Sequence, residues 1–164
     1  MSIFFNKSEN KEQKLNKLNI VIIVGFLICG LFLYFYQKYY WPKIDLTIAG
    51  QELKVLVAKT PARQYEGCSN KDNLGKYNGM LFIFNDYTRH PMVMRNMRFA
   101  LDMIWLDGNE IVDYAKNLQP EPGKNERELT PYLGRVKNNM VLELPAGFLD
   151  KYEVKIGDKV EFKR

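Results

Sequence analysis

Cysteine and histidine are scarce in this chain of 164 residues, which contains two cysteines and one histidine. Cys29 falls in an apolar run near the N-terminus, so Cys68 has no partner for a disulfide in the rest of the chain. Cys68 and His90 alone are too few ligands for a structural zinc centre. No aspartate-rich loop has calcium-binding spacing. We therefore expect no metal and no cofactor.

A concentrated excess of basic charge is also missing. Residues 1–41 contain five Lys and two Glu, a net charge of +3, and residues 42–164 contain nineteen Lys or Arg and seventeen Asp or Glu, a net charge of +2. The larger part of the chain is therefore nearly neutral. Nucleic-acid-binding domains carry clustered basic charge. We expect no nucleic-acid partner.

One long apolar run is present, LNIVIIVGFLICGLFLYFY at residues 18–36, and it contains no charged residue. A helix of this length spans roughly 28 Å, close to the hydrocarbon thickness of a bilayer. The aromatic residues that follow are typical of a membrane interface, and the run does not end in a small-residue cleavage site. We interpret residues 18–37 as a transmembrane helix. A cleaved signal peptide and a lipid-modified Cys29 are the alternatives.

The basic residues around this run predict its orientation, because lysines are enriched on the cytoplasmic side of a span. Four of them precede it: Lys7, Lys11, Lys14 and Lys17. We therefore predict a cytoplasmic basic tail (1–17), the transmembrane helix (18–37), a linker (38–45) and an extracytoplasmic domain (46–164). The predicted location is the cell membrane, crossed once, with the N-terminus in the cytoplasm.

Short β-type segments separated by turn residues fill the rest of the chain. A short helix is predicted in TPARQYEGC, with Thr60 as cap, and a second near residues 146–152. Residues 119–134 have charge and proline without periodicity, which predicts a mobile loop. The fold class is mainly β, a small antiparallel barrel-like or curled-sheet domain. The predicted strands are IDLTI and QELKVLVA joined at Ala49-Gly50, then MLFIF, PMVMRNM, LDMIWLD, IVDYAKNL, MVLELP and KVEFK.

Four blocks follow one another along the chain: GMLFIF (79–84), MRNMRFALDMIWLD (94–107), VLELPAG (141–147) and IGDKVEF (156–162). With these blocks the chain resembles the family known as domain of unknown function 192, over roughly residues 53–162. The resemblance implies a compact β-rich fold, commonly exported or membrane-anchored, without a settled activity. Fold alone does not supply a reaction.

The chain also departs from the pattern of that family. Cys68-Ser69 stand where the family usually has Leu-Met. Within VMRNM, Val93, Arg95 and Met97 replace a tryptophan, a lysine and a threonine. Any role that needed the indole or the hydroxyl is therefore in doubt, whereas Met94, Asn96 and Asp102 match.

Asp102 lies inside an apolar stretch, where an unpaired carboxylate would be costly. It should therefore have a partner. One interpretation is structural, with Asp102 paired to Arg95 or Arg98 or capping backbone amides. The other is a mouth that binds a small polar or anionic ligand. The candidate ligand-binding residues are Arg95, Asn96, Asp102, His90 and Glu143.

Two sharper chemistries are also open. A thiol beside an imidazole can become a nucleophile, so Cys68 and His90 are a candidate pair. The methionines offer soft ligands for Cu(I), but methionine is more often core filler. We favour the core interpretation for this set: Met80, Met92, Met94, Met97 and Met103.

Three functions follow from these observations. We favour a membrane-anchored binding or accessory module for a small polar or anionic ligand or an envelope protein partner. The alternative is a hydrolase-like enzyme that uses Asp102 with Glu143 or Arg95. A third possibility is a structural envelope component that docks through residues 119–134. If Glu143 points away from Leu142 and Leu144 to solvent, it has no role.

Overall fold

The computed structural model describes the backbone of residues 3–163 and the side chains of residues 16–37 and 39–163. The chain divides into two compact units, Met1–Trp41 and Pro42–Arg164. The first unit contains one helix, α1 (Ile3–Tyr39). The side chains of the predicted basic tail at Lys7, Lys11 and Lys14 lie outside the described residues.

Helix α1 includes a segment, Asn16–Gln37, that is long and apolar enough to cross a membrane. None of its side chains is buried against protein. An apolar helix near the N-terminus is compatible with a single-pass anchor and also with a signal peptide. The predicted span at residues 18–37 falls within this segment.

The second unit is built on a curled sheet. Within residues 42–163 the sheet has seven strands in the order β5-β4-β6-β3-β2-β1-β7, and only the β2–β3 pair is parallel. The elements are β1 (Lys43–Ile48), β2 (Gln51–Ala58), α2 (Pro61–Glu66), β3 (Gly79–Thr88), β4 (Leu101–Asp107), β5 (Glu110–Leu118), β6 (Asn138–Pro145), α3 (Phe148–Lys151) and β7 (Glu161–Phe162).

The segment before β7 connects the two edges of this sheet. β7 pairs with β1 at one edge, and the residues just before it bond to β5 at the other. Ile111 N donates to Asp158 O at 2.9 Å, and Val160 N donates to Asn109 O at 2.8 Å. The curled sheet thus approaches a closed barrel, which removes free strand edges. The predicted mainly β, curled-sheet fold is confirmed.

The interior of the curl is one apolar core to which strands β1 to β6 and α3 all contribute. Alternate strand residues point inward, as the period of two requires. Leu142 and Leu144 of β6 are fully buried there, and Leu149 of α3 fills the end. On the first two strands, four residues belong to this cluster and Val57 is buried outside it. The four are Leu46, Ile48, Leu53 and Val55.

Most of the predicted elements are present, but one strand was wrong. Residues 91–97 form turns with a single bridge, from Met92 to Tyr132, instead of a strand. Asn96 has φ of +48°, which reverses the chain and is incompatible with an extended strand. Residues 119–134 contain no helix or strand among the described elements, as predicted. Strand β1 begins at Lys43, so the last three residues of the predicted linker lie in the sheet.

Gly79 starts β3 at a point where β6 comes very close. A Cβ atom built there would overlap the carbonyl oxygen of Glu143 and lie 2.6 Å from Leu144 Cδ2. We expect Gly79→Ala to lower the free energy of unfolding by about 1–3 kcal/mol, because overpacking forces the strands apart. Chemical denaturation of the full chain in detergent measures this. Gly30→Ala, where nothing lies within 4 Å, is the control and should leave the domain unchanged. Equal stability of the two variants would contradict the prediction.

Candidate functional site

Glu143 lies on the outer face of the sheet. On β6 it stands between Leu142 and Leu144, which point into the core. Cross-strand partners share a face, and Glu143 pairs with Met80 of β3 and with Met103 of β4. Glu143 therefore points away from its two leucine neighbours, the orientation that the alternation suggested. It does not reach solvent, because its side chain is only 4% exposed.

Helix α2 is one part of the cover over this outer face. Its first turn is capped by Thr60, whose Oγ1 accepts from Arg63 N, and Pro61 occupies the first helical position. Gln64 Nε2 donates to Ile83 O at 2.8 Å and ties the helix to β3. The helix ends at Gly67, whose φ is +49° and whose Cα faces the ring of Phe82. These contacts hold the α2 end above β3 and β6.

A cavity of about 270 Å³ lies between α2, β3, β6 and the segment 91–97. Its walls are more apolar than polar, and its most buried polar groups are Cys68 and Glu143. Small-ligand sites are concave, largely apolar and carry a few placed polar groups. The walls include the side chains of Phe82, Phe84, Met92 and Met97.

Glu143 is the most unusual group in this cavity. Burial raises the pKa of its carboxyl to about 7, although a hydrogen bond from Cys68 acts in the opposite direction. Its Oε2 atom has no hydrogen-bond partner among the residues that the structure describes. Burial, and then the neighbouring Glu143, raise the pKa of the Cys68 thiol well above its usual value. Cys68 is therefore a neutral thiol near pH 7, not an activated nucleophile.

Arg95 stands at the rim of the cavity and joins three segments. Its guanidinium forms a bidentate ion pair with Glu126 of the 119–134 loop. It also donates from Nη1 to Tyr65 O at 2.9 Å and lies 4.0 Å from the centre of the Tyr65 ring. The hydrogen bond to Glu126 raises the pKa of Arg95 further above its usual value. Arg95 therefore fastens the loop beside the opening.

We expect Arg95→Ala to loosen the 119–134 loop without unfolding the domain. The ion pair is partly exposed, and such pairs contribute at most about 1 kcal/mol. Amide exchange at Arg127 and Glu128 should therefore accelerate by up to about fivefold, measured by hydrogen–deuterium exchange. Arg98→Ala is the matched control, because Arg98 pairs with Asp72 outside the loop. Equal exchange rates in both variants would count against a role for Arg95 in holding the 119–134 loop.

His90 and Asn96 lie near the cavity but do not line it. The His90 ring stacks on Phe84 with centroids 3.7 Å apart, and its Nε2 is 3.4 Å from Asp86 O. Asn96 is exposed, and its carbonyl accepts from Asn70 N at 2.9 Å. The Cys68 thiol contacts Glu143, so the structure does not assemble the predicted Cys68–His90 pair.

Asp102 lies on the other face of the sheet. It pairs across strands with Leu144, which points into the core, so it shares that face. Its Oδ1 accepts from Asn117 N at 2.8 Å, and its Oδ2 accepts from Leu149 N at 2.9 Å. These contacts agree with the structural interpretation, in which Asp102 caps backbone amides. The guanidinium partners considered for it bind Glu126 and Asp72 instead.

The structure thus brings together two of the five predicted site residues, Arg95 and Glu143. The predicted methionines are all buried: Met80, Met94 and Met103 fully, and Met92 and Met97 nearly so. Within the described residues no group of three His, Cys, Asp or Glu side chains is placed to hold a metal ion. Sequence reasoning missed Phe82 and Phe84 as wall residues. A signal was available, since apolar residues fill both alternating sets of MLFIF, so both faces of that strand had to be covered.

Comparison with known proteins found one family model and two solved structures that match this chain. The DUF192 family model, described as an uncharacterized ACR, matches residues 44–162. A structure of a proposed transcription regulator from Sinorhizobium meliloti 1021 is 25% identical with a TM-score of 0.66, covering 74% of this chain and 95% of that one. A protein of unknown function from Novosphingobium aromaticivorans DSM 12444 is 27% identical with a TM-score of 0.64, covering 73% and 84%. Comparison with curated proteins found no significant match.

Proposed function

This chain belongs to the DUF192 family of uncharacterised proteins, and from its own cavity we propose that it is a membrane-anchored module that binds a small ligand. One observation carries the proposal: Glu143 is buried at a cavity wall with one carboxyl oxygen that no described protein group satisfies. A buried polar atom without a partner costs about 1–3 kcal/mol. A site selected for binding keeps such an atom because the ligand satisfies it.

The shape of the cavity supports a small ligand. Its volume of about 270 Å³ is at the lower end of the range of known ligand pockets, roughly 300–1,000 Å³. The aromatic and thioether walls favour an apolar body, and Glu143 would bind one polar end of it. The rim is fastened by Arg95, Tyr65 and Glu126, so the opening is held in shape before a ligand arrives.

The alternative of a hydrolase-like enzyme has less support. It needs Asp102 beside Glu143 or Arg95, but Asp102 faces the core side of the sheet and both of its oxygens accept from backbone amides. Arg95 is already occupied by Glu126. An envelope protein partner stays a prediction, and crosslinking in intact membranes tests it.

Native mass spectrometry of the full chain, extracted in mild detergent, tests the binding function. We expect a small molecule to remain on the wild-type protein and to be absent from Glu143→Gln. Glu110→Gln is the matched control, because Glu110 is an exposed glutamate at the β4–β5 turn. An equal ligand content of all three proteins, or a Glu143→Gln protein that keeps its ligand, would refute the proposed site.

The membrane anchor is the second part of the proposal. We propose that residues 18–37 stay in the bilayer with the N-terminus in the cytoplasm, because the apolar helix follows a lysine-rich tail. The domain then lies on the outer side. Intact-mass measurement of protein from the membrane fraction should show the full chain. A mass that corresponds to a chain beginning after residue 36 would identify a cleaved signal peptide. Digestion of the domain by protease added outside sealed cells would confirm the orientation.

A further inference from the structure

The charges around the cavity are balanced except at Glu143. Glu66 accepts from Lys71 Nζ at 3.2 Å, and Arg95 is paired with Glu126. These are the other charged side chains that line the cavity. Glu143 has a thiol neighbour and no basic partner among the ion pairs of the described residues. An ionised Glu143 would therefore be a buried negative charge that the protein leaves uncompensated.

The walls of the cavity suit a positive charge. Phe82 and Phe84 present aromatic rings, and Met92 and Met97 present thioethers to the same space. Aromatic faces attract cations, most strongly where water is excluded. An anion, in contrast, would meet the carboxyl of Glu143, and Arg95 has its donors directed to Glu126 and Tyr65. The predicted small polar ligand is thus narrowed to a cationic one.

We propose that the cavity binds a small organic cation, a primary ammonium group on a compact apolar body, whose N–H donates to Glu143 Oε2. This inference rests on the proposed binding function and names its ligand class. The apolar body fills the space beside Phe82 and Phe84. The ammonium donates the hydrogen bond that Glu143 Oε2 lacks. Its positive charge compensates the negative charge of the ionised carboxylate.

Binding of such a cation is coupled to a proton. A free site with a carboxyl pKa of about 7 holds a proton on Glu143 at slightly acid pH, and the ammonium displaces it to solvent. The titratable or charged groups around Glu143 are the Cys68 thiol and, further out, Glu66 with its partner Lys71, and Arg95. The thiol stays protonated and the two outer groups stay in their ion pairs. At pH 6.5, binding should release about three quarters of a proton.

Isothermal titration of the full chain in detergent tests the ligand class with three probes of similar shape: benzylammonium, benzyl alcohol and benzoate. We expect benzylammonium to bind at least about tenfold more tightly than the other two. Repeating the titration in buffers of different ionisation enthalpy should reveal the released proton. Glu143→Gln keeps the size of the side chain and removes its charge, and it should abolish both the preference and the proton release.

Each outcome decides the inference. Tighter binding of benzyl alcohol or benzoate, or unchanged benzylammonium binding by Glu143→Gln, overturns the cationic ligand while the binding function stands. If none of the three probes binds, the cationic ligand is also overturned. The proposed binding function is tested separately by native mass spectrometry. Nα-acetyl-lysine amide, with a free side-chain amine, carries the same ammonium on a peptide body. If it binds more tightly than benzylammonium, the ligand is a protein side chain instead of a small molecule.

Discussion

Glu143→Gln should raise the free energy of unfolding by about 3 kcal/mol at pH 8 and change it little at pH 4.5. The folded-state pKa of Glu143, about 7, is above its ordinary value of 4.5. The unfolded chain therefore loses this proton first as pH rises. Each unit of difference is worth about 1.4 kcal/mol, so stability is lost between pH 4.5 and 7 and stays lost above it. Glutamine cannot ionise and avoids that loss.

Chemical denaturation of the full chain in detergent, at several pH values, measures this difference. Comparison with wild type isolates Glu143, because other shifted carboxyls such as Asp113 and Glu121 are present in both proteins. Glu110→Gln, an exposed change of the same kind, should give no pH-dependent difference. A stability gap that is constant across pH would mean that the pKa of Glu143 is the same in the folded and unfolded chains, and would remove the basis for a neutral buried acid.

A more stable but non-binding Glu143→Gln protein would be the signature of a functional group. Proteins keep destabilising side chains where binding requires them. If Glu143 were simply structural, its removal should weaken the fold. The two measurements together, stability and ligand retention, therefore separate a site residue from a packing residue.

Asp102→Ala should destabilise the domain by about 2–4 kcal/mol, among the largest effects that we expect. The change would leave two backbone amides without their acceptor: Leu149 N, in a buried hydrogen bond, and Asn117 N, in a partly buried one. A buried orphan costs about 1–3 kcal/mol, and one that water can reach costs less. Both amides lie where the chain changes direction, since Asn117 has φ of +52° and Leu149 lies in the first turn of α3. Asp102→Asn keeps one accepting oxygen and should lose roughly half as much.

Unfolding of the full chain in denaturant measures the cost. Asp107→Ala is the control on the same strand, because Asp107 is exposed and its carboxylate accepts a hydrogen bond from Tyr87 Oη at 2.7 Å at the surface. It should cost less than about 1 kcal/mol. If the Asp102→Ala protein is stable but does not bind ligand, the structural role of Asp102 is wrong. The ligand-binding role that the sequence suggested would then be supported.

The local elements were predictable because their signals lie between neighbours in the chain. The segment TPARQYEGC, with Thr60 as cap, predicted α2, and the runs LDMIWLD and IVDYAKNL predicted β4 and β5. The strand predicted at 91–97 failed for a tertiary reason. The methionines of this segment are buried by packing over the outer face of the sheet, without forming a strand. The chain reverses at Asn96, whose carbonyl accepts from Asn70 N.

The candidate site was only half predictable. Arg95 and Glu143 were named from their residue types, but the sequence offered no way to separate Glu143 from Asp102. Both are acidic residues in apolar strands. Their difference arises from the register of β4 on β6, which puts Asp102 opposite Leu144 and Glu143 opposite Met103. A shift by one residue would exchange their faces.

The sequence by itself determined the class of the fold and the long apolar helix, because hydrophobic periodicity and run length are properties of consecutive residues. Its four matching blocks indicated the family by resemblance. The tertiary structure alone decided which carboxylate became structural and which kept one oxygen without a hydrogen-bond partner among the described residues. Burial of Glu143 requires α2 and the 91–97 segment to pack over the same face of the sheet. That packing joins residues far apart in the chain, and no local pattern encodes it.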